Sequence, residues 1–201
     1  MRIATDGSCL KNPGGKTGWA WVAENGIWQS GSVAEGSNNI GELMAAIAAL
    51  RASKNLPEVH LEIDSQYVLN IIQKWGPGWK KRGWKKANGE PVANVELVDK
   101  LLTLSNRRGL TMEWVKGHNG HWLNEFADEQ AGLAAKNQTP PRKGRYTEEQ
   151  IADAILKPKP KTRAKRVTKT TVPNSTSKRN QMNKKRDSMK NSQTPRKRRT
   201  S

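Results

Sequence analysis

With 201 residues the chain has room for one ordinary domain and an appendage. Its formal net charge of +18 is unevenly spread: residues 140–201 hold 20 Lys and Arg against 4 Asp and Glu, whereas residues 1–139 hold 16 against 14. An excess of this kind seeks polyanions, whether nucleic acid, anionic membrane or acidic protein. The single cysteine, Cys9, excludes an intramolecular disulfide framework, no apolar run reaches the ~18–20 residues needed to span a bilayer, and the polar opening Met1-Arg2-Ile3-Ala4-Thr5-Asp6 carries no export signal. A soluble cytoplasmic protein with no membrane partner is therefore expected.

Residues 3–6 read as the end of a short strand. Residues 18–23 and 26–33 form a hairpin turning at Asn25-Gly26, the strongest two-residue hairpin signal. Residues 39–53 are helical, with Leu43, Ala46, Ile47 and Leu50 on one face and Ser37 or Asn38 near the cap. Gly41, early in that helix, is expected to cost up to ~1 kcal/mol. Residues 59–63 alternate as a strand ending at Asp64, and residues 66–74 form a second helix. Residues 95–104 form a third, stopped by Arg107-Arg108-Gly109; residues 110–115 are the last strand and 123–136 the last helix of the domain. Three strands followed by alternating helices and strands predict an α/β fold over residues 1–139: a mixed five-stranded sheet with helices on both faces. Residues 140–156 read as a linker whose segment 146–156 is a short helix, Thr147 and Gln150 having capping-box spacing. Beyond Leu156 the only bulky apolar side chains are Val167, Val172, Met182 and Met189, so residues 157–201 are expected to be a disordered basic tail.

Four carboxylates stand where chemistry is expected. Asp6 and Asp64 each sit where a strand ends, the edge at which α/β sheets bind ligands. Glu42 lies on or beside the apolar stripe of the first helix, and Asp128 near the start of the last. Carboxylates that converge repel one another unless cations lie between them. Oxygen-only ligation with no Cys or His cluster points to magnesium, with manganese as a substitute. Two such ions ~4 Å apart suit phosphodiester cleavage.

Four segments then resemble the type 1 ribonuclease H family of bacteria: Thr5-Asp6-Gly7-Ser8-Cys9-Leu10-Lys11-Asn12-Pro13-Gly14-Gly15, Asn38-Asn39-Ile40-Gly41-Glu42-Leu43-Met44-Ala45-Ala46, Asp64-Ser65-Gln66-Tyr67-Val68, and Lys116-Gly117-His118-Asn119-Gly120-His121 running on to Ala127-Asp128-Glu129. The resemblance covers residues 1–136 in the family's order. It implies a three-layer ribonuclease H-like fold and an endonuclease that cuts the RNA strand of RNA–DNA hybrids. The family's metal-binding carboxylates fall on Asp6, Glu42, Asp64 and Asp128. Its mobile-loop histidine falls on His118, in a role of proton shuttling or product release that suits a group titrating near neutrality. His121 is treated as structural.

The resemblance also places Asn12, Asn38 and Gln66 against the minor groove of the hybrid, where recognition of a 2′-hydroxyl needs groups that donate and accept. The segment 75–86 interleaves Trp75, Trp79 and Trp84 with Lys80, Lys81, Arg82, Lys85 and Lys86. It resembles the family's basic protrusion, whose cations grip DNA phosphates without regard to sequence; its tryptophans are expected to pack the protrusion on the body. Trp79, Lys80, Lys81, Arg82 and Trp84 are its substrate-binding candidates. The tail has no counterpart in the minimal family and is expected to tether the enzyme non-specifically to nucleic acid. A monomer is expected. The rival reading is a non-catalytic hybrid-binding module of the same fold, and the complete carboxylate set argues against it.

Overall fold

The computed structural model describes residues 1–117 and 120–157. The disordered tail expected from residue 157 onward lies, apart from Lys157 itself, outside the described residues.

The elements run β1 (Arg2–Cys9), β2 (Gly15–Ala23), β3 (Ile27–Gly36), α1 (Asn38–Ala52), β4 (Val59–Ile63), α2 (Gln66–Asn70), a π-helical turn (Ile71–Trp75), α3 (Gly76–Lys81), α4 (Val95–Ser105), β5 (Leu110–Trp114), α5 (Trp122–Asn137), β6 (Arg142–Arg145) and α6 (Glu148–Leu156). The strands form one mixed sheet in the order β5-β4-β1-β2-β3-β6. β1, β2 and β3 are an antiparallel meander, and β4 and β5 add in parallel on the other side of β1. The expected hairpin turn is present: Gly26 takes a φ of 80°, and Asn25 Oδ1 accepts the Ile27 N–H at 3.1 Å.

Two apolar layers sandwich the sheet. On one face Ile3, Trp21, Leu61 and Ile63 pack against Leu43, Ile47 and Leu50 of α1 and Val98 and Leu101 of α4. On the other, Ala4 and Val22 meet Leu123, Phe126 and Ala127 of α5. Each fully buried Leu or Ile contributes roughly 1.5–3 kcal/mol of burial free energy, so these layers fix where α1 and α5 lie. No described helix is long and apolar enough to cross a membrane.

Three expectations are corrected. The sheet has six strands, not five: β6, in the stretch expected as a linker, pairs antiparallel with β3 from Ile27↔Arg145 to Ser30↔Arg142. Its sequence, Arg-Lys-Gly-Arg, has no apolar alternation to read, because what it supplies is backbone pairing to an otherwise open edge. Gly144 makes that pairing possible, since a Cβ there would lie 2.3 Å from the Trp28 ring. β1 continues to Cys9, so Asp6 lies inside the strand rather than at its end. The helix expected over 66–74 continues through the π-turn into α3 and ends at Lys81. The capping box at the start of α6 is present in full, Thr147 and Gln150 exchanging hydrogen bonds of 2.8 and 3.2 Å.

Candidate active site

The site is built where the sheet changes direction. β1 and β4 run parallel from Arg2↔His60 to Thr5↔Ile63, and one residue further along each chain stand Asp6 and Asp64. Strand alternation gives Asp6 the parity of Ala4, on the face covered by α5, and opposite to that of Ile3 and Thr5. Past Thr5 only β2 still pairs with β1, so the paired strands β1 and β4 part at the two carboxylates.

Glu42 arrives from α1. Ser37 caps that helix by accepting the Ile40 N–H at 3.3 Å, so Glu42 falls in its second turn. Two glycines let the helix settle on the strand. A Cβ on Gly7 would lie 2.1 Å from the Glu42 backbone nitrogen, and one on Gly41 would lie 2.7 Å from the Gly18 carbonyl oxygen. A side chain at either position would lift α1 from the sheet and take Glu42 with it. The cost expected for Gly41 in a helix is thus offset by the close approach that the site requires.

The result is a carboxylate triad: Asp6, Glu42 and Asp64 each present an oxygen within 4.8 Å of the others. Asp6 is only 6% exposed. Burial, then the charges of Asp64 and Asp128 and a side-chain hydrogen bond that the protonated carboxyl makes to Asp64, holds Asp6 well above the usual range; the Gly7 N–H partly offsets this. Burial and the charges of Asp6 and Asp64 likewise raise Glu42, again against the Gly7 N–H. Glu42 Oε2 is buried and has no hydrogen-bond partner. A buried acceptor of this kind, facing two like charges, is the environment that a hard divalent cation relieves, and the oxygen-only donor set fits one.

The fourth expected carboxylate, Asp128 on α5, acts electrostatically on both Asp6 and Glu42 but lies outside the 4.8 Å triad. His118 lies outside the described residues. The loop leading to it passes close to the triad, since a Cβ on Gly117 would lie 2.8 Å from Asp64 Oδ2.

Of the expected substrate contacts, Asn12 and Asn38 come together, Asn12 Oδ1 accepting the Asn38 N–H at 3.1 Å. Gln66 is exposed at the start of α2, two residues beyond Asp64. In the basic protrusion Trp79 and Trp84 pack on the main apolar layer, as expected. Trp84 takes a φ of 64°, a strained conformation for a bulky residue, and its N–H reaches Trp79 O at 2.8 Å. The cations differ from one another more than the sequence implies. Lys80 is paired with Asp99 at 2.7 Å and Lys86 with Glu90 at 3.2 Å, whereas Lys81 and Lys85 are exposed and form no ion pair among the described residues.

The residue that sequence reasoning missed is Glu62. It occupies the polar register of an alternating strand, yet it is 1% exposed because β4 is paired on both sides and Arg2 and His121 close over its carboxylate. Arg2 reaches its Oε1 through Nε at 2.8 Å and also through Nη2; His121, immediately before α5, places Nδ1 3.5 Å from its Oε2. The available signal was its spacing, two residues before Asp64 and therefore on the same face.

The RNase H family model matches residues 1–136. Relatives named Ribonuclease H include those of Agrobacterium fabrum, 49% identical over 141 residues that cover 69% of this chain and 94% of the relative, and of Mesorhizobium japonicum, 45% identical over 174 residues that cover 84% and 96%. Among solved structures, LC9-RNase H1, a type 1 RNase H with the type 2 active-site motif, aligns at a TM-score of 0.63 with 25% identity, covering 81% of this chain and 89% of that one. The foamy viral protease-reverse transcriptase, solved in complex with RNA/DNA hybrid, shares the fold at a TM-score of 0.58 and 16% identity, covering 68% of this chain and 20% of that one. With the carboxylate triad brought together by β1, α1 and the end of β4 and the family's sequence over two thirds of its length, the chain belongs to the RNase H family of metal-dependent hydrolases.

Proposed function

We propose that the chain is an endoribonuclease that hydrolyses the RNA strand of RNA–DNA hybrids and leaves 5′-phosphate and 3′-hydroxyl ends. The observation that carries the reading is the triad of Asp6, Glu42 and Asp64, with the unpartnered Glu42 Oε2 inside it. The shared name of relatives that are close to half identical supports the substrate class. Magnesium, bound as two ions and replaceable by manganese, supplies neutralisation of phosphate charge and a water that is nucleophilic near neutral pH. Asp6, Glu42 and Asp64 hold it, with Asp128 as the fourth ligand, on two paired strands and two packed helices that leave the carboxylates little freedom to move apart. Asn12 and Asn38, joined by a hydrogen bond at the start of α1, and Gln66, two residues beyond Asp64, read the sugar edges of the minor groove. Lys81, Arg82 and Lys85 hold the phosphates of the DNA strand, while Trp79 and Trp84 fix the protrusion that carries them. His118 moves protons or assists product departure. The tail adds sequence-blind attraction to phosphate.

The test is incubation of the protein with an end-labelled RNA–DNA hybrid, with magnesium and with chelator, beside double-stranded RNA and DNA. Cutting of the hybrid's RNA strand in magnesium alone, with 5′-phosphate products, is expected. Products ending in a cyclic 2′,3′-phosphate, or cutting in chelator, overturn the mechanism. Tight hybrid binding with no cleavage in magnesium leaves a non-catalytic binding module instead.

A further inference from the structure

Between α1, α4 and the β6 side of the sheet lies an open cleft of about 470 Å3, lined by none of the carboxylates of the triad. Its floor is apolar, formed by Trp19, Met44, Ile47 and Leu97. Three cations line it, each from a different element: Arg51 of α1, Lys100 of α4 and Lys143 of β6. None of the three forms an ion pair among the described residues, and no described acidic residue lines the cleft. This is a local departure, because residues 1–139 as a whole carry 16 basic against 14 acidic residues. The third cation comes from beyond residue 136, where the family match ends. Its seat is fixed by the sheet. Lys143 is in register with Gln29, which also lines the cleft, while the neighbouring Gly144 lies against Trp28 on the other face.

We propose that this cleft binds single-stranded nucleic acid, an unpaired base resting on the apolar floor and its flanking phosphates meeting Arg51, Lys100 and Lys143. An apolar floor framed by several cations matches a ligand that joins flat, weakly polar rings to regularly spaced negative charges. A duplex offers only its phosphates and groove edges here, because its base faces are stacked away; an unpaired strand offers both parts. The Gln29 amide supplies a donor and an acceptor for a base edge. Arg51 follows Glu42 by nine residues on α1, about 13 Å along the helix axis, so the cleft is a separate site within reach of a strand that continues from a bound duplex. Its use in catalysis, to hold the single-stranded continuation of a hybrid while the hybrid occupies the triad, rests on the hybrid-cleavage reading; the binding itself does not.

The full-length protein is photo-crosslinked to an oligodeoxythymidine carrying 4-thiothymidine, and the crosslinked peptides are mapped by mass spectrometry. Crosslinks are expected in the peptides that hold Met44–Ile47 and Leu97, alongside others to the basic residues after 157. In the triple variant Arg51→Gln, Lys100→Gln, Lys143→Gln, the cleft crosslinks should fall about tenfold while those to the C-terminal residues persist as an internal control. These are exposed polar positions, and a melting curve matching that of the parent confirms that the fold is kept. The variant should cut a blunt hybrid at the parent rate but lose the lower KM that the parent shows for a hybrid with a single-stranded extension. Crosslinks confined to residues 75–86 and the C-terminal segment overturn the proposal, as do cleft crosslinks that the triple variant leaves unchanged. Displacement of the oligonucleotide from the C-terminal segment alone, with polyglutamate protecting the cleft lysines from acetylation, would instead make the cleft an acidic-peptide site and equally overturn it. Cleft crosslinking by a protein that cuts no hybrid would refute the proposed function and leave this site standing.

Discussion

Glu62 and Asp64 stand two residues apart at the end of β4, with side chains directed to the same face of the sheet, and the chain treats their charges in opposite ways. Around Glu62 the protein supplies its own compensation: the Arg2 guanidinium forks onto one carboxylate oxygen and His121 approaches the other. Around Asp64 it supplies more carboxylates, Asp6 and Glu42, and allows burial and mutual repulsion to hold those two well above their ordinary protonation range. The first arrangement draws its cation from the protein itself, although Glu62 Oε2 and His121 Nδ1 form no hydrogen bond, and it ties the residue before α5 to β1 and β4. The second is complete only when a cation enters. A buried carboxylate by itself says nothing about function; which charges surround it separates a structural pair from a binding site.

Substitution at the two carboxylates should be read in different observables, activity at one and stability at the other. Asp6→Asn or Asp64→Asn should lower hybrid cleavage by on the order of 10³-fold or more while hybrid affinity changes little, because the metal-dependent stabilisation of several kcal/mol is lost. Near-normal turnover in either variant would show that the triad is not the catalytic centre. Arg2→Ala should act on stability instead. It strands Glu62, which is 1% exposed, at a cost of about 3 kcal/mol, or a fall in Tm of roughly 6–12 °C. Glu62→Gln should cost less, because the side chain of Arg2 is half exposed and can turn to solvent. Equal melting of the Arg2→Ala and parent proteins would mean that the pair contributes nothing to the fold.

His118→Ala should act on the reaction and not on the fold. It should slow turnover by about 10²-fold without abolishing it, since a proton can also pass to substrate phosphate or bulk water. A loss as deep as that of Asp6→Asn would make His118 a ligand or an essential base.

Melting of the metal-free protein then reads the triad's repulsion directly. Asp6 and Glu42 have ordinary values of 3.8 and 4.5, and the fold raises both. Between those values and the raised ones the folded state binds more protons than the unfolded chain, so these groups lower stability as pH rises through that window. In chelator, the Tm of Asp6→Asn should therefore exceed that of the parent, and the gap should widen with pH. Magnesium should close it by stabilising the parent. A gap that narrows as pH rises contradicts the assignment.

The smallest effect concerns the C-terminal residues. Deletion of 158–201 should flatten the salt dependence of hybrid binding, each lost phosphate contact removing about 0.9 from the slope of log affinity against log salt, with little change in maximal rate. Superimposable salt series would refute the tether. The cut belongs after 157 rather than 139, because β6 pairs with β3 and α6 packs Ile151 and Ala154 against the apolar layer of Ala4, Val22, Leu123, Phe126 and Ala127.

The sequence by itself determined the elements whose periodicity is set by burial on one face: α1 with Leu43, Ile47 and Leu50, the alternating β4, and the Asn25-Gly26 hairpin. Its motifs also marked Asp6, Glu42, Asp64 and Asp128, each within a local pattern. Where local pattern and three-dimensional environment diverge, the sequence was silent. β6 carries no apolar signal because backbone pairing, not side-chain burial, makes it a strand. Glu62 looks solvated because alternation shows only that a residue faces away from Ile63, not what closes over that side. Lys80 and Lys81 read alike, and only the approach of Asp99 from α4 separates them. The approach of Glu42 to Asp6 depends on Gly7 and Gly41 letting two backbones nearly touch, 34 residues apart in sequence. The cleft of Arg51, Lys100 and Lys143 likewise exists only once three elements have packed. Local periodicity records what each segment buries, whereas charge pairing and close backbone approach are set by partners distant in the chain, and only the tertiary structure brings those together.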